Sequence, residues 1–263
     1  MQQVNDFLEE CEALSEVLVG LPEGEWTRAT QFKGWTVNDV ITHLYYWNRA
    51  ADLSLSDPAG FDAQIGAALP RMMKTGMRPV ENAAITERGR ALFAAWQAQF
   101  RDMAARWTEV DPKTRVKWAG PEMSARSSIT ARQMETWAHG QEIFDLLGVR
   151  RRDSDRIRNI VVLGVNTFAW SHKVQGQEVP DRVPRLRLTA PSGAVWDFGD
   201  PESPDLIEGA AVDFAQVVTQ TRNIADTALR VSGPVASNWM RTAQCFAGGR
   251  EAPPEPGTRH AAG

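Results

Sequence analysis

Apolar residues in the first two-thirds of the chain recur at helical spacing. Val4, Phe7, Leu8, Cys11 and Leu14 follow the three-four rhythm of one buried helical face. Leu21-Pro22 and Gly24 end that segment, and Thr36, after Gly34-Trp35, is the natural N-cap of the next. Val40, Ile41, Leu44 and Trp47 mark the inward face of a helix running from Val37 to about Leu53, punctuated by Pro58-Ala59-Gly60. Further helices are predicted over about 61–74 and about 80–108, the latter carrying Leu92, Trp96, Phe100 and Met103. A polar connection through Asp111-Pro112 and Gly120-Pro121 leads to a helix from near Ser127 to about Leu147, with Gly148 as its stop. Another amphipathic segment covers about 155–174.

After about residue 176 the period changes from helical to two. Leu186 and Leu188 alternate with polar neighbours, Pro191-Ser192-Gly193 supplies a turn, and Val195–Phe198 reads as the returning strand. A helix over Ala210–Thr219, a strand over Leu229–Gly233 and a closing helix over Val235–Phe246 complete the pattern. The expected organisation is an all-α domain over 1–175, a small α+β domain over 176–250, and a flexible tail over 251–263 that is rich in Pro and Gly. A length of 263 residues accommodates two domains.

Composition narrows the function classes. An apolar share of 43% and a charged share of 24% suit a globular protein with a real core. A formal net charge of −4, with no basic-aromatic stripe, argues against electrostatic nucleic-acid binding. No run approaches the ~20 apolar residues of a membrane span, and the acidic, amphipathic N-terminal stretch does not read as a secretory signal. The cytoplasm is the expected location. Cys11 and Cys245 are far apart and lack CxxC spacing, so neither a disulfide framework nor a Cys-rich zinc site is expected; Cys11 reads as a small core residue. Ten Trp against two Tyr, several near the histidines below, suit a site walled by apolar rings.

Only four histidines are present, so each can be weighed. His139 follows Glu135 by four residues in METWAHGQEIFDLL, which places an imidazole and a carboxylate on one helix face. His43, in GWTVNDVITHLYYW, shares the inward face of its own helix with Val40 and Trp47. An inward Glu135 needs a cation or a strong donor beside it, because an unpaired buried carboxylate is costly. Arg132, three residues earlier, is a rival to a metal for that role. Spacing alone leaves a metal site and a buried polar network both open.

The segment GWTVNDVITHL and the segment R-x-x-E-T-W-A-H-G-Q-E-I (Arg132, Glu135, Thr136, Trp137, His139, Gly140, Gln141) resemble the two metal-ligand motifs of the mycothiol-dependent maleylpyruvate isomerase family. That family belongs to the DinB-like superfamily. The resemblance implies a DinB-like four-helix bundle followed by a smaller α/β domain similar to sterol carrier proteins. It also implies a metal triad of His43, Glu135 and His139. Two imidazoles and a carboxylate suit catalytic Zn²⁺ and equally a non-haem Fe²⁺ triad, and Ni²⁺ stays open. The family further implies a low-molecular-weight thiol, mycothiol, as co-substrate. Addition of its thiolate to a conjugated double bond, rotation and elimination would isomerise an electrophile; displacement of a leaving group would be S-transfer. Arg222, after an apolar helix, resembles the family's arginine that meets the substrate's carboxylate, although the wording of this region departs from the isomerase pattern; a surface or helix-terminal arginine is the equal alternative.

Other residues have plainer readings. Arg132 could orient Glu135. Asp39 and Glu142 are expected on solvated faces, the alternatives being a contact from Asp39 to His43 and a fourth ligand or base in Glu142, and His172 is expected at a helix C-terminus. Trp35, Trp47 and Trp137 read as core or cavity walls, and His260 as part of the tail. Phosphate-binding glycine loops, G-x-S-x-G and H-E-x-x-H are all missing from the sequence. The activity that the family resemblance implies is that of a metal-dependent thiol transferase or isomerase acting on a small molecule. The alternatives are a non-catalytic binder of metal or small ligand with the same fold and, less favoured, a protein associated with tRNA modification.

Overall fold

The computed structural model describes residues 1–262 and divides into two compact units, Met1–Ile143 and Phe144–Gly263. In the first unit α1 (Gln2–Leu18), α2 (Val37–Ser56), α5 (Gly89–Thr108) and α6 (Ala125–Leu146) are the bundle helices. The hairpin of α3 (Pro58–Thr75) and α4 (Met77–Ala84) packs on α2. Val4, Phe7, Cys11 and Leu14 of α1, Val40, Ile41 and Leu44 of α2, and Leu92, Trp96, Phe100 and Met103 of α5 are all buried, as their spacing requires.

Local chemistry sets the helix ends. Thr36 caps α2 by accepting from Asp39 N at 3.1 Å, while the Asp39 carboxylate accepts from Thr36 N at 2.9 Å. Pro58, read from sequence as a break, instead occupies the first turn of α3, where its missing N–H costs nothing and Asp57 accepts from Gly60 N. The helix expected over about 80–108 is two helices. Gly89 turns the backbone at φ +56°, and the Arg88 guanidinium donates to the carbonyls of Asn82 and Ile85 as α4 ends. A two-residue hairpin, β1 (Arg115–Val116) with β2 (Met123–Ser124), lies in the connection to α6. Gly148, at φ +63°, ends α6 as expected, with Gly148 N and Val149 N donating to the carbonyls of Asp145 and Phe144.

The second unit holds a mixed sheet in the order β4-β3-β5-β6, formed by β3 (Arg185–Thr189), β4 (Val195–Phe198), β5 (Leu206–Ala210) and β6 (Arg230–Ser232). The β3–β4 and β5–β6 pairs are antiparallel, and β3–β5 is parallel. Leu186, Leu188 and Ile207 are fully buried, and α9 (Ala211–Val218) and α10 (Pro234–Thr242) complete the fold. The sequence shows its change of period near residue 176, whereas the second compact unit starts at Phe144. The reason is that α7 (Arg158–Asn166) and α8 (Phe168–Val174) pack against α9 and α10. Gly164 of α7 meets Phe214 and Val218 of α9 so closely that an added Cβ would lie 2.9 Å from a Val218 methyl.

Residues 251–262, expected to be a loose tail, are tied to this unit instead. Glu251 N donates to Gln244, Asn223 to the Pro254 carbonyl, Gly257 N to Asp226, Arg259 to the Gln220 carbonyl and Ala262 N to the Asp145 carbonyl. A Pro- and Gly-rich segment without apolar anchors can still be held by backbone hydrogen bonds, which composition does not reveal.

Candidate metal centre

His43 and Glu135 come from helices 92 residues apart in sequence, and the fold brings them together. His43 Nε2 lies 3.3 Å from Glu135 Oε2, and His139 Nε2 lies 3.2 Å from the same oxygen. One donor atom from each of the three side chains lies within 4.8 Å of the others. The spacing of the second pair follows directly from i,i+4 geometry on α6. His43 is 4% exposed, whereas the side chains of Glu135 and His139 keep 21% and 15% exposure, so the cluster opens on the α6 side.

A residue that sequence reasoning missed completes the site. Glu81 of α4 is fully buried, and its Oε1 accepts from His43 Nδ1 at 2.9 Å and from Trp47 Nε1 at 2.7 Å. A carboxylate behind a histidine fixes its tautomer and turns the other nitrogen toward a metal. No periodic signal joins Glu81 to His43, because α3 and its turn intervene in the chain. Glu81→Ala is expected to lower metal affinity by about 10–100-fold. Glu81→Gln, which keeps an acceptor oxygen, should lose less; competition titration with a chromogenic chelator reads both.

The electrostatics follow from burial set against close pairing. Burial works against charge on His43, yet the Glu81 and Glu135 carboxylates outweigh it and push its pKa up to about 9. Burial pushes His139 down, against the Glu135 carboxylate and with the help of His43. Burial alone would raise Glu135, but hydrogen bonds from both histidines and the charge of Arg132 hold it well below the ordinary carboxylate range. A charged His43 carries a proton on Nε2, the atom a metal needs, so protonation and metal binding exclude each other there. Arg132 is 2% exposed; its Nη2 stands 3.7 Å from Glu135 Oε1, and its guanidinium lies over Trp118 at 5.1 Å.

Aromatic rings wall the cluster. Lys33 and Gly34 both take positive φ in a tight loop closed by Thr30 N donating to the Trp35 carbonyl, which presents Phe32 and Trp35. Trp35 stacks on His139 at 5.7 Å between centroids and 2° between planes, and meets His43 edge-on at 5.3 Å. Phe32 meets His139 at 5.1 Å, and Trp47 packs on Trp118 at 5.4 Å. Trp137 is fully buried core.

The remaining candidates fall elsewhere. Arg222 belongs to the second unit, where its Nη2 donates to Asp145 Oδ1 at 2.7 Å and its Nη1 to the Thr221 carbonyl. Its guanidinium therefore already has a carboxylate partner inside the protein. Asp39 is committed to capping α2 and accepts from Asn82 at 2.7 Å. Glu142, expected at the surface, is buried at 2% exposure. His172 is buried with Nδ1 bonded to the Phe168 carbonyl, a core histidine in the last turn of α8.

Cys11 lies in the core 3.8 Å from Thr136 Oγ1, and burial pushes its thiol well above its ordinary range. Cys245 is also buried. Both thiols are therefore expected to resist an aromatic disulfide reagent at pH 8 until the chain is unfolded. Rapid labelling of the folded protein would contradict this.

The family model for the mycothiol maleylpyruvate isomerase N-terminal domain matches residues 7–144, a span that contains all three clustered side chains and Glu81. The chain belongs to this family. Two uncharacterized proteins, from two strains of Mycobacterium tuberculosis, are 33% identical to this family member over 246 residues, which is 93% of this chain and 95% of theirs. A crystal structure of the mycothiol-dependent maleylpyruvate isomerase superposes with a TM-score of 0.58 at 17% identity, over 89% of this chain and 95% of that one. A His-to-Ala mutant of that enzyme superposes at 0.53, also at 17% identity, over 82% and 87%. At that identity the solved structures establish a shared fold: a helical N-terminal region followed by a smaller sheet-containing one.

Proposed function

We propose that the chain is a metal-dependent enzyme that uses a low-molecular-weight thiol of the mycothiol type to isomerise, or transfer sulfur to, a small electrophilic molecule. The observation that carries this reading is the meeting of His43, Glu135 and His139 around one carboxylate oxygen. The donor set fits a divalent cation: two imidazoles and a carboxylate are a common catalytic zinc set that leaves a coordination position open. When bound, such a cation would supply a Lewis acid that brings a thiol's pKa into the neutral range.

The protein's own groups would do the rest. Glu81 holds His43 at Nδ1, so its Nε2 faces Glu135 and His139. Arg132 stands at Oε1 of Glu135, leaving Oε2 to the two histidines. Trp35 and Phe32 cover His139, and Trp47 and Trp118 form a second apolar wall, an arrangement that limits water at a reacting thiolate. Among the described residues no helix is long and apolar enough to cross a membrane.

The test is elemental analysis of protein purified without chelator, followed by incubation with thiol and a conjugated unsaturated acid, reading cis–trans conversion of the acid for isomerisation and loss of thiol for S-transfer. Stoichiometric zinc or another divalent metal is expected, with activity lost on chelation and restored by adding the metal back. Equal rates for metal-loaded and metal-stripped protein would exclude the reading.

A further inference from the structure

A second cavity in the first unit, of about 410 Å³, lies between α2, α3 and α4 and has no part in the metal cluster. Helical spacing places its lining residues. Tyr46 and Arg49 lie three apart on α2, and Gln64, Ala68 and Arg71 share one face of α3. Alanines at 67, 68, 83 and 84 keep its walls short. No carboxylate lines it. Tyr46 is 4% exposed; burial and the Glu81 carboxylate raise its hydroxyl's pKa, against its neighbour Gln64 and the charges of Arg71 and Arg49.

The chain leaves several arginines, these two among them, without an ion pair among the described residues. It carries 33 acidic residues against 29 Lys and Arg, and arginines such as Arg28, Arg101 and Arg106 pair with carboxylates. Arg49 and Arg71 form no ion pair among the described residues; the contact recorded for the Arg49 guanidinium is the Tyr45 ring at 5.4 Å. Two like charges beside one cavity repel each other unless an anion sits between them, and planar guanidinium forks suit oxyanions. Apolar Val80 and Ile85 in the remaining wall leave room for a small carbon body behind the charged group.

We propose that this cavity is a binding site for a small oxyanion, a carboxylate or a phosphate, held by Arg49 and Arg71 with Tyr46 and Gln64 supplying neutral hydrogen bonds. The site is separate from the metal cluster, and the proposal does not depend on the thiol chemistry. It does share the cluster's supports: Tyr46 precedes Trp47 and Val80 precedes Glu81, so the same two helices serve both sites.

The experiment is calorimetric titration of the full-length protein with succinate, with inorganic phosphate and with uncharged succinamide, at low salt. Saturable binding of succinate, of phosphate or of both is expected, and the stronger of the two identifies the oxyanion; succinamide should not bind. Both arginines are exposed, so Arg49→Ala/Arg71→Ala should fold normally. The double variant should weaken binding by at least about tenfold, as loss of charge-assisted contacts implies. Arg78→Ala, removing an exposed arginine that does not line the cavity, should bind like the parent. Failure of both oxyanions to bind, or equal affinity of the parent and the double variant, would overturn the proposal.

Discussion

His43→Ala is expected to lose metal affinity by more than about a hundredfold, since even the outer partners of metal ligands are worth about 10–100-fold. Turnover, read as cis–trans conversion or as thiol loss, should fall to the rate of the chelator-treated parent. The side chain is 4% exposed, and its removal leaves Glu81 with one donor fewer, so a stability loss of about 1–3 kcal/mol should accompany the loss of metal. His139→Ala separates the two effects, because this side chain is 15% exposed and, besides His43, its ring partners are Trp35 and Phe32 at the cluster's wall. It should lose metal with a smaller change in denaturation midpoint. Stoichiometric metal in both variants would remove the metal centre from consideration.

Arg222→Ala is expected to cost about 1.5–3 kcal/mol of stability, because it removes a charge-assisted hydrogen bond from a buried carboxylate. Asp145 is 3% exposed in its side chain and Arg222 11%, with 2.7 Å between them. Against a typical total of about 5–15 kcal/mol, that loss is large enough to shift a urea denaturation midpoint clearly. Arg222→Lys keeps the charge but not the planar fork and should fall between. An unchanged midpoint with lost turnover would instead return Arg222 to the substrate-binding role that family resemblance implies.

These two residues also show where sequence reading reaches and where it stops. The i,i+4 pair on α6 and the inward face of α2 were legible because helical periodicity fixes direction, and His43 shares its face with Val40 and Trp47. Glu81 was not legible. It lies in a short helix merged by pattern with its successor, and its partner is 38 positions away. Glu142 and Asp39 were misjudged for a related reason: charge predicts exposure only on average. The fold buries Glu142 and turns Asp39 back onto its own helix start. Strand β5 escaped detection because only Ile207 of its five residues is fully buried, too few for a period to show.

By itself, the sequence determined helices α1, α2, α3 and α6 of the first unit, the capped start of α2, the alternating strands β3 and β4, and the types of side chain available for chemistry. All of these are set by local propensity and by periods of 3.6 or 2, which a few neighbouring residues can express. Only the tertiary structure decided that His43 meets Glu135 across 92 positions, that Glu81 stands behind it, and that Arg222 pairs with Asp145. Such pairings depend on how whole helices pack and on which buried charges must find partners, and no local stretch of chain carries that information.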